Sequence, residues 1–344
     1  MTRHPPSHEA PPLALADILA AQRALRGIAD ATPLVPSPFL ARRFGHDMLL
    51  KLEIAQPIGA FKLRGALNAV MALPRNVPGV TCCSTGNHGR GVAFAAVRQG
   101  LRAVICMSEL VPEAKVEGIR ALGAEARIFG RSQDEAQLEA TRLVEAEGFA
   151  EVPPFDDPLV IAGQGTIGLE LLEARPDLEL LLVPISGGGL AAGVALAAKA
   201  LKPTIRVIGI SMDRGAAMQA SLAAGHPVPV EEVPSLADSL GGGIGMANRH
   251  SFALCRDLLD DVLLVSEEEI RDAMQVLYFE DRLVAEGASV VGLAAMIAGK
   301  VKPTGPVATI ITGRNLDIVQ FTDIVTGRDV TLGDRLVKGK RYGT

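Results

Sequence analysis

Leu180-Leu181-Leu182-Val183-Pro184-Ile185-Ser186-Gly187-Gly188-Gly189-Leu190 sets the fold class of this chain. Its first six residues are a short unbroken apolar run, as expected of a strand buried on both faces. The glycines end that run and lead into Ala191-Ala192-Gly193-Val194-Ala195-Leu196-Ala197-Ala198-Lys199, which reads as a helix. Strand, glycine turn and helix make one step of an α/β fold with a parallel sheet. Consecutive glycines let backbone amides converge on a phosphate, and the helix dipole adds to the attraction. A tight strand–helix packing turn is the plain alternative. No Gly-Lys-Ser/Thr follows, so this is not a nucleotide P-loop, and the spacing is not the G-x-G-x-x-G of dinucleotide sites.

Similar strand-like runs lie at 48–53, 79–83, 102–107, 125–129, 205–210 and 307–312. Helical periodicity fills 61–73, 116–122, 132–147 and 159–174. This alternation predicts parallel sheets covered by helices. At 344 residues the chain suits one large α/β unit or two domains. Hydrophobic residues make up 48% and aromatics only 3%, so the expected core is aliphatic. The net charge of −5, without a basic block, argues against nucleic-acid binding. No apolar run reaches membrane-span length. Residues 1–12 are polar and Pro-rich and read as a disordered tail, not a secretory signal. Cys82, Cys83, Cys106 and Cys255 show neither zinc spacing nor a disulfide framework, which points to free thiols and a cytoplasmic location.

Three further motifs carry chemistry. In Gln56-Pro57-Ile58-Gly59-Ala60-Phe61-Lys62-Leu63-Arg64-Gly65-Ala66, one lysine stands between two glycines at the mouth of a helix. Drawn from water there, its amine loses basicity and becomes a nucleophile toward an aldehyde; an ordinary surface lysine is the alternative. Ser84-Thr85-Gly86-Asn87-His88-Gly89-Arg90-Gly91 follows the strand ending at Cys83. Such a turn either binds a carboxylate or merely caps a helix. Thr312-Gly313-Arg314-Asn315 follows Pro306-Val307-Ala308-Thr309-Ile310-Ile311 and places a hydroxyl at a strand's C-terminal end, where open α/β sheets bind ligands.

Together the four motifs resemble the fold-type II pyridoxal-phosphate enzymes, and within them the serine/threonine dehydratases and serine racemases, from about Leu15 to Thr326. The resemblance implies a tryptophan-synthase-β-like fold with two open parallel-sheet domains and the cofactor between them. A large cofactor-binding domain would comprise 13–51 and 152–330, a small substrate-loop domain 52–151, and 331–344 a tail. Lys62 would hold pyridoxal phosphate as a Schiff base, with Phe61 beside the ring and Asn87 bonded to the phenolic oxygen. Ser186, Gly187, Gly188, Gly189 and Leu190 would bind the phosphate, and Thr312 would face the pyridine nitrogen. Ser84, Thr85, Asn87 and His88 would grip the substrate carboxylate. Glu286, in Glu286-Gly287-Ala288, would orient the ring or the substrate amine; a solvated acid is its plain role. Lys62 would move the Cα proton, and the cofactor phosphate or a hydroxyl such as Thr85 would protonate the leaving group. A homodimer is expected.

The segments Ser211–Met218, Ser235–Gly245 and Thr312–Asp317 further resemble the hydroxyectoine-utilisation dehydratases. That implies a β-hydroxylated diamino acid as substrate. Gly242 and its neighbours would widen the cleft, unless they are only a flexible loop. Arg314 stands where glycine is common; it would reach the substrate carboxylate or pair with Asp317. Relatives place a cation-binding glutamate where this chain has Ser211-Met212-Asp213, so no structural metal is expected. The short stretch after Ile318 leaves no room for a regulatory domain, which suggests a catabolic role. Leu63-Arg64-Gly65 after the lysine departs from the Lys-Asp-Arg of cysteine-synthase-like enzymes. The rivals are therefore a catabolic L-threonine or L-serine dehydratase, a serine racemase, and, in another class, a non-catalytic regulator that binds the cofactor. A nucleotide-binding dehydrogenase lacks its glycine fingerprint.

Overall fold

The structure, a computed structural model, describes residues 13–84, 86–111 and 113–343. Its strands are β1 (Leu34–Pro36), β2 (Met48–Leu52), β3 (Gly79–Cys83), β4 (Arg102–Met107), β5 (Glu125–Ile128), β6 (Ala150–Glu151), β7 (Leu180–Pro184), β8 (Arg206–Met212), β9 (Asp261–Val265), β10 (Val307–Ile311), β11 (Val330–Leu332) and β12 (Arg335–Val337). Six form a sheet in the order β1-β2-β10-β7-β8-β9, and four form a second in the order β5-β4-β3-β6. Every pairing in the second sheet is parallel. The larger sheet is parallel except at its edge, where β1 runs antiparallel to β2. The parallel sheets are as expected, and the antiparallel edge strand β1 is an addition to them. A three-residue strand carries too little periodicity to be read from sequence.

The continuous apolar runs are explained by what covers them. Alternate residues of a strand face opposite sides. In β7, Leu180 and Leu182 enter one core, while Leu181 and Val183 enter another. Both faces are therefore buried and no polar alternation survives. The same division sends Ile105 and Met107 of β4 to one core and Val104 and Cys106 to another.

The helices are α1 (Leu15–Leu25), α2 (Pro38–Phe44), α3 (Lys62–Met71), α4 (Asn87–Arg98), α5 (Glu113–Arg120), α6 (Gln133–Glu147), α7 (Pro158–Ala174), α8 (Gly189–Leu201), α9 (Ala217–Ala224), α10 (Ser251–Leu258), α11 (Glu267–Asp281), α12 (Val291–Ile297) and α13 (Ile318–Thr326). Their starts follow local chemistry. The Ser132 hydroxyl accepts from Glu135 N at α6, Asp157 precedes Pro158 and caps α7, and Ser266 with Glu269 makes a capping box on α11. No helix among the described residues is long and apolar enough to cross a membrane.

Residues 1–12 lie outside the described residues. The stretch expected as a tail from 331 pairs in the antiparallel ribbon β11–β12, and Leu332 and Val337 are buried in the large core. Tyr342 stacks on Phe279 with ring centroids 4.8 Å apart and donates to Glu280 Oε1 at 2.6 Å.

Candidate active site

The C-terminal ends of β3, β7 and β10 open on one cavity of about 410 Å³, within the range of cofactor pockets. Its walls include Phe61, Lys62, Ser84, Asn87, His88, Ser186, Gly187, Gly188, Gly189, Leu190, Gly242 and Thr312. These expected site residues, drawn from five separate stretches of chain, thus share one space. Thr85 lies outside the described residues. Glu286 stands one side chain back, behind Asn87. Arg314 is not in the wall; it is exposed, with its side-chain stem 3.1 Å from where a Cβ on Gly59 would sit. Asp317, its other suggested partner, uses its carboxylate to accept from Val319 N and Gln320 N and so caps α13.

Lys62 is the first residue of α3, which packs between α4 and α7. The loop before it is stitched to the end of β10. Phe61 N donates to Thr312 O at 2.9 Å, Arg314 N donates to Gly59 O at 3.0 Å, and Ala60 pairs with Gly313. This bridge brings Lys62 and Thr312, far apart in sequence, into one wall. The Lys62 amine donates to Pro154 O at 2.6 Å and lies 5.4 Å from the Phe61 ring centroid. Burial pulls its pKa down to about 8. Such an amine is partly neutral near physiological pH and can attack an aldehyde.

Behind Lys62 lies a buried ionic cluster. Arg64 is 2% exposed and grips Glu53, which is fully buried, through Nε and Nη2 at 2.8 Å each. It also reaches Glu170 at 2.5 and 2.9 Å, Thr166 Oγ1 at 3.0 Å and Asp30 O at 3.1 Å. Lys51 pairs with the same Glu170 and donates to Thr32 O at 2.6 Å. Two cations and two carboxylates thereby fix the first turn of α3 against β2 and α7.

The opposite wall is the glycine turn. Gly188 has φ +90°, a left-handed conformation that disfavours side chains. A Cβ on Gly187 would lie 2.2 Å from the Phe155 ring. Ser251 Oγ donates to Gly187 O at 2.7 Å, and Asp156 accepts from the backbone of 249–251 at 2.7–2.9 Å. The turn is thus held from behind and opens on the cavity at the start of α8. Gly187→Ala is expected to weaken cofactor binding about tenfold through the displaced Phe155, as read by titrating the variant with pyridoxal phosphate. Unchanged affinity would show that the ring yields without cost.

A third wall is polar. The Asn87 amide nitrogen donates to both Glu286 oxygens, at 3.0 and 3.1 Å. Glu286 is 4% exposed, and burial raises its pKa against the pull of these hydrogen bonds. Ser239 and the backbone N–H of Asn315 also donate to it, at 3.1 and 2.7 Å. The Thr312 hydroxyl meets that of Ser289 at 2.9 Å. His88 donates through Nε2 to Val152 O at 2.7 Å; burial, then the nearby Lys62 charge, lowers its pKa to about 3. Its ring is neutral and offers no charge to a carboxylate. Glu232 and Asp238 stand at the mouth with Gly241, Gly242 and Gly243. Among the described residues no group of three or more His, Cys, Asp or Glu is placed to hold a metal ion.

Asn315, Ser239, Ser289, Pro154 and Phe155 were not singled out from sequence as site residues. Asn315 and Ser239 lie inside the segments 312–317 and 235–245 noted above, whereas Ser289, Pro154 and Phe155 act through contacts distant in the chain. The residues present fit a flat aldehyde-bearing ring with a phosphate arm. A nucleophilic amine stands in one wall, a glycine turn that leaves no room for side chains forms another, and a neutral hydroxyl pair lies between them.

Residues 26–313 match the family described as pyridoxal-phosphate dependent enzymes. A Sinorhizobium fredii protein carrying a threonine dehydratase name is 52% identical over 318 residues, covering 92% of this chain and 96% of its own. The L-threonine ammonia-lyase of Thermotoga maritima is 40% identical over 316 residues, covering 91% of this chain and 78% of its own. The solved structure of maize serine racemase superposes with a TM-score of 0.85 at 32% identity, covering 90% of this chain and 96% of its own.

Proposed function

The chain belongs to the family of pyridoxal-phosphate dependent enzymes, and from that premise we propose that it eliminates water from a β-hydroxy amino acid, giving an oxo acid and ammonia. The observation that carries this is Lys62: an amine with its pKa lowered to about 8 in the wall of a cavity shared with the glycine turn and Thr312. Bound there, pyridoxal phosphate supplies an aldehyde for amines and an electron sink for the Cα–H bond.

The protein's part is to choose the bond that breaks. Lys62 would hold the cofactor's aldehyde carbon and, as a free neutral amine, would take the Cα proton. Gly187, Gly188 and Gly189 anchor the phosphate arm through backbone amides. Asn87 presents an N–H to the ring's oxygen, and the loop from Ser84 to His88, Thr85 included, receives the substrate carboxylate. The proton for the leaving hydroxyl would come from the cofactor phosphate or from a hydroxyl such as that of Thr85. The four-stranded sheet carries this loop, and 52–151 is taken as the substrate unit.

Thr312 supports elimination over transamination. Its hydroxyl, paired with Ser289, brings no full negative charge to hold a proton on the ring nitrogen. The cofactor held there would be a weaker electron sink, which suits loss of the β-substituent better than transamination. Thr312→Asp is therefore expected to lower kcat for elimination by about 10–100-fold, in the range of a misplaced electrostatic group. Unchanged turnover in that variant would overturn this account of Thr312.

For the substrate we propose a β-hydroxylated diamino acid of hydroxyectoine breakdown. Glu232 beside the open glycine stretch 241–243 supports it, because a carboxylate at the mouth suits a second ammonium group, whereas Asp238 already faces Lys115 at 3.8 Å. The test adds 3-hydroxy-2,4-diaminobutyrate, then L-threonine and L-serine, to the purified protein and assays ammonia and oxo acid. Preference for the diamino acid is expected. Preference for threonine would make this a general dehydratase, interconversion of serine enantiomers a racemase, and cofactor binding without turnover a regulator.

A further inference from the structure

Asn87 occupies the cavity wall, and its amide has two unlike ends. Which end faces which neighbour is decided by a relay that begins at a backbone carbonyl. Ile58 O can only accept, and Asn315 Nδ2 donates to it at 2.9 Å. That contact fixes the Asn315 amide. Its second N–H then donates to Asn87 Oδ1 at 2.7 Å. Asn87 is thereby forced to turn its nitrogen toward Glu286, whose oxygens it meets at 3.0 and 3.1 Å. Reversing Asn87 would set its oxygen against a buried carboxylate and its NH2 against that of Asn315. Two attractive contacts would become two repulsive ones, in a setting where unpaired polar groups are costly. Asn315 also donates its backbone N–H to Glu286 at 2.7 Å, which ties the relay to a third segment.

We infer that Asn315 is a positioning residue that holds the Asn87 NH2 toward Glu286, so that one of its two N–H groups is kept by that carboxylate and the other, not C=O, is left for an anionic oxygen in the cavity. This rests on the cofactor reading above. Asn315 need not touch the ligand; it acts through Asn87.

A double-mutant cycle on the full chain tests this, with pyridoxal phosphate as the probe. Affinity and the pH midpoint of the visible absorption band are measured for wild type, Asn315→Ala, Asn87→Ala and the double variant. Asn315→Asp, which keeps the side-chain size but loses both donors, is run in parallel in case the alanine variant folds poorly. In an otherwise native chain, replacing Asn315 is expected to weaken binding about tenfold and to move the band's midpoint. In the Asn87→Ala background the same replacement is expected to change affinity less than about twofold and to leave the midpoint in place. Equal effects in both backgrounds, or none in either, would overturn the inference while leaving the cofactor reading intact. A wild-type protein with no lysine-dependent band would overturn both.

Discussion

Lys62→Ala is expected to show no lysine-dependent visible band with pyridoxal phosphate and to retain less than about 10⁻³ of wild-type turnover. The size of the loss follows from two roles held by one amine. Among the described residues Lys62 and Lys115 are the lysines that line the cavity, and Lys115 stands 3.8 Å from Asp238 at the mouth. Lys62 is the residue proposed both to anchor the cofactor and to move the Cα proton. Absorbance and ammonia release check it; a band and turnover within tenfold of wild type would reject Lys62 as the anchor.

The same residue should leave a mark on stability. Its pKa is about 8 when folded, against 10.5 for a lysine amine in water, because burial opposes the charge. Between those values the unfolded chain binds more protons than the folded one, so stability rises with pH through that window. Below about 8 the folded protein carries the full cost of holding a charged amine in the wall. Apo Lys62→Met is therefore expected to melt above the wild type at pH 7, with the gap narrowing as pH approaches 10.5. Melting curves of the two apo proteins across that range decide it; a pH-independent gap would show that the charge is not strained. Strain of this kind at a reactive group is common where function requires it.

Arg64→Met is expected to cost about 3–5 kcal/mol of stability, the usual penalty for leaving a buried charge unpaired. Glu53 would lose both of its guanidinium contacts while remaining fully buried, with Thr32 and Gln56 still donating to it. Glu170 would keep Lys51. Arg64→Lys should recover little, because an ammonium cannot reproduce two forks toward two carboxylates. Arg64→Met with Glu53→Gln should recover part of the loss, since no lone buried charge remains at that pair. Urea unfolding of the apo proteins measures each step. A loss below about 1 kcal/mol for Arg64→Met would mean that the cluster is solvated in solution and contributes no more than a surface pair. Because the cluster holds the first turn of α3, the destabilised variants should also bind the cofactor more weakly than stability alone predicts.

Much of this protein is written locally. The run that became β7 was legible because a strand covered on both faces is apolar at every position, and those of β3 and β4 because they are mostly so. The glycine turn at 187–189 and the lysine flanked by Gly59 and Gly65 were legible because backbone conformation and chain order are properties of neighbours. Strand order, the antiparallel edge at β1 and the pairing of 331–337 were not, since each depends on which distant segment lies alongside. The site divides in the same way. Sequence alone singled out the residues proposed to carry the chemistry: Lys62, Asn87, the glycines and Thr312. Only the tertiary structure decided what each faces: Pro154 for the amine, Glu286 and Asn315 for Asn87, and Ser289 for Thr312. A hydrogen bond acts over about 3 Å in space, and residues hundreds of positions apart come within that range only when the fold closes.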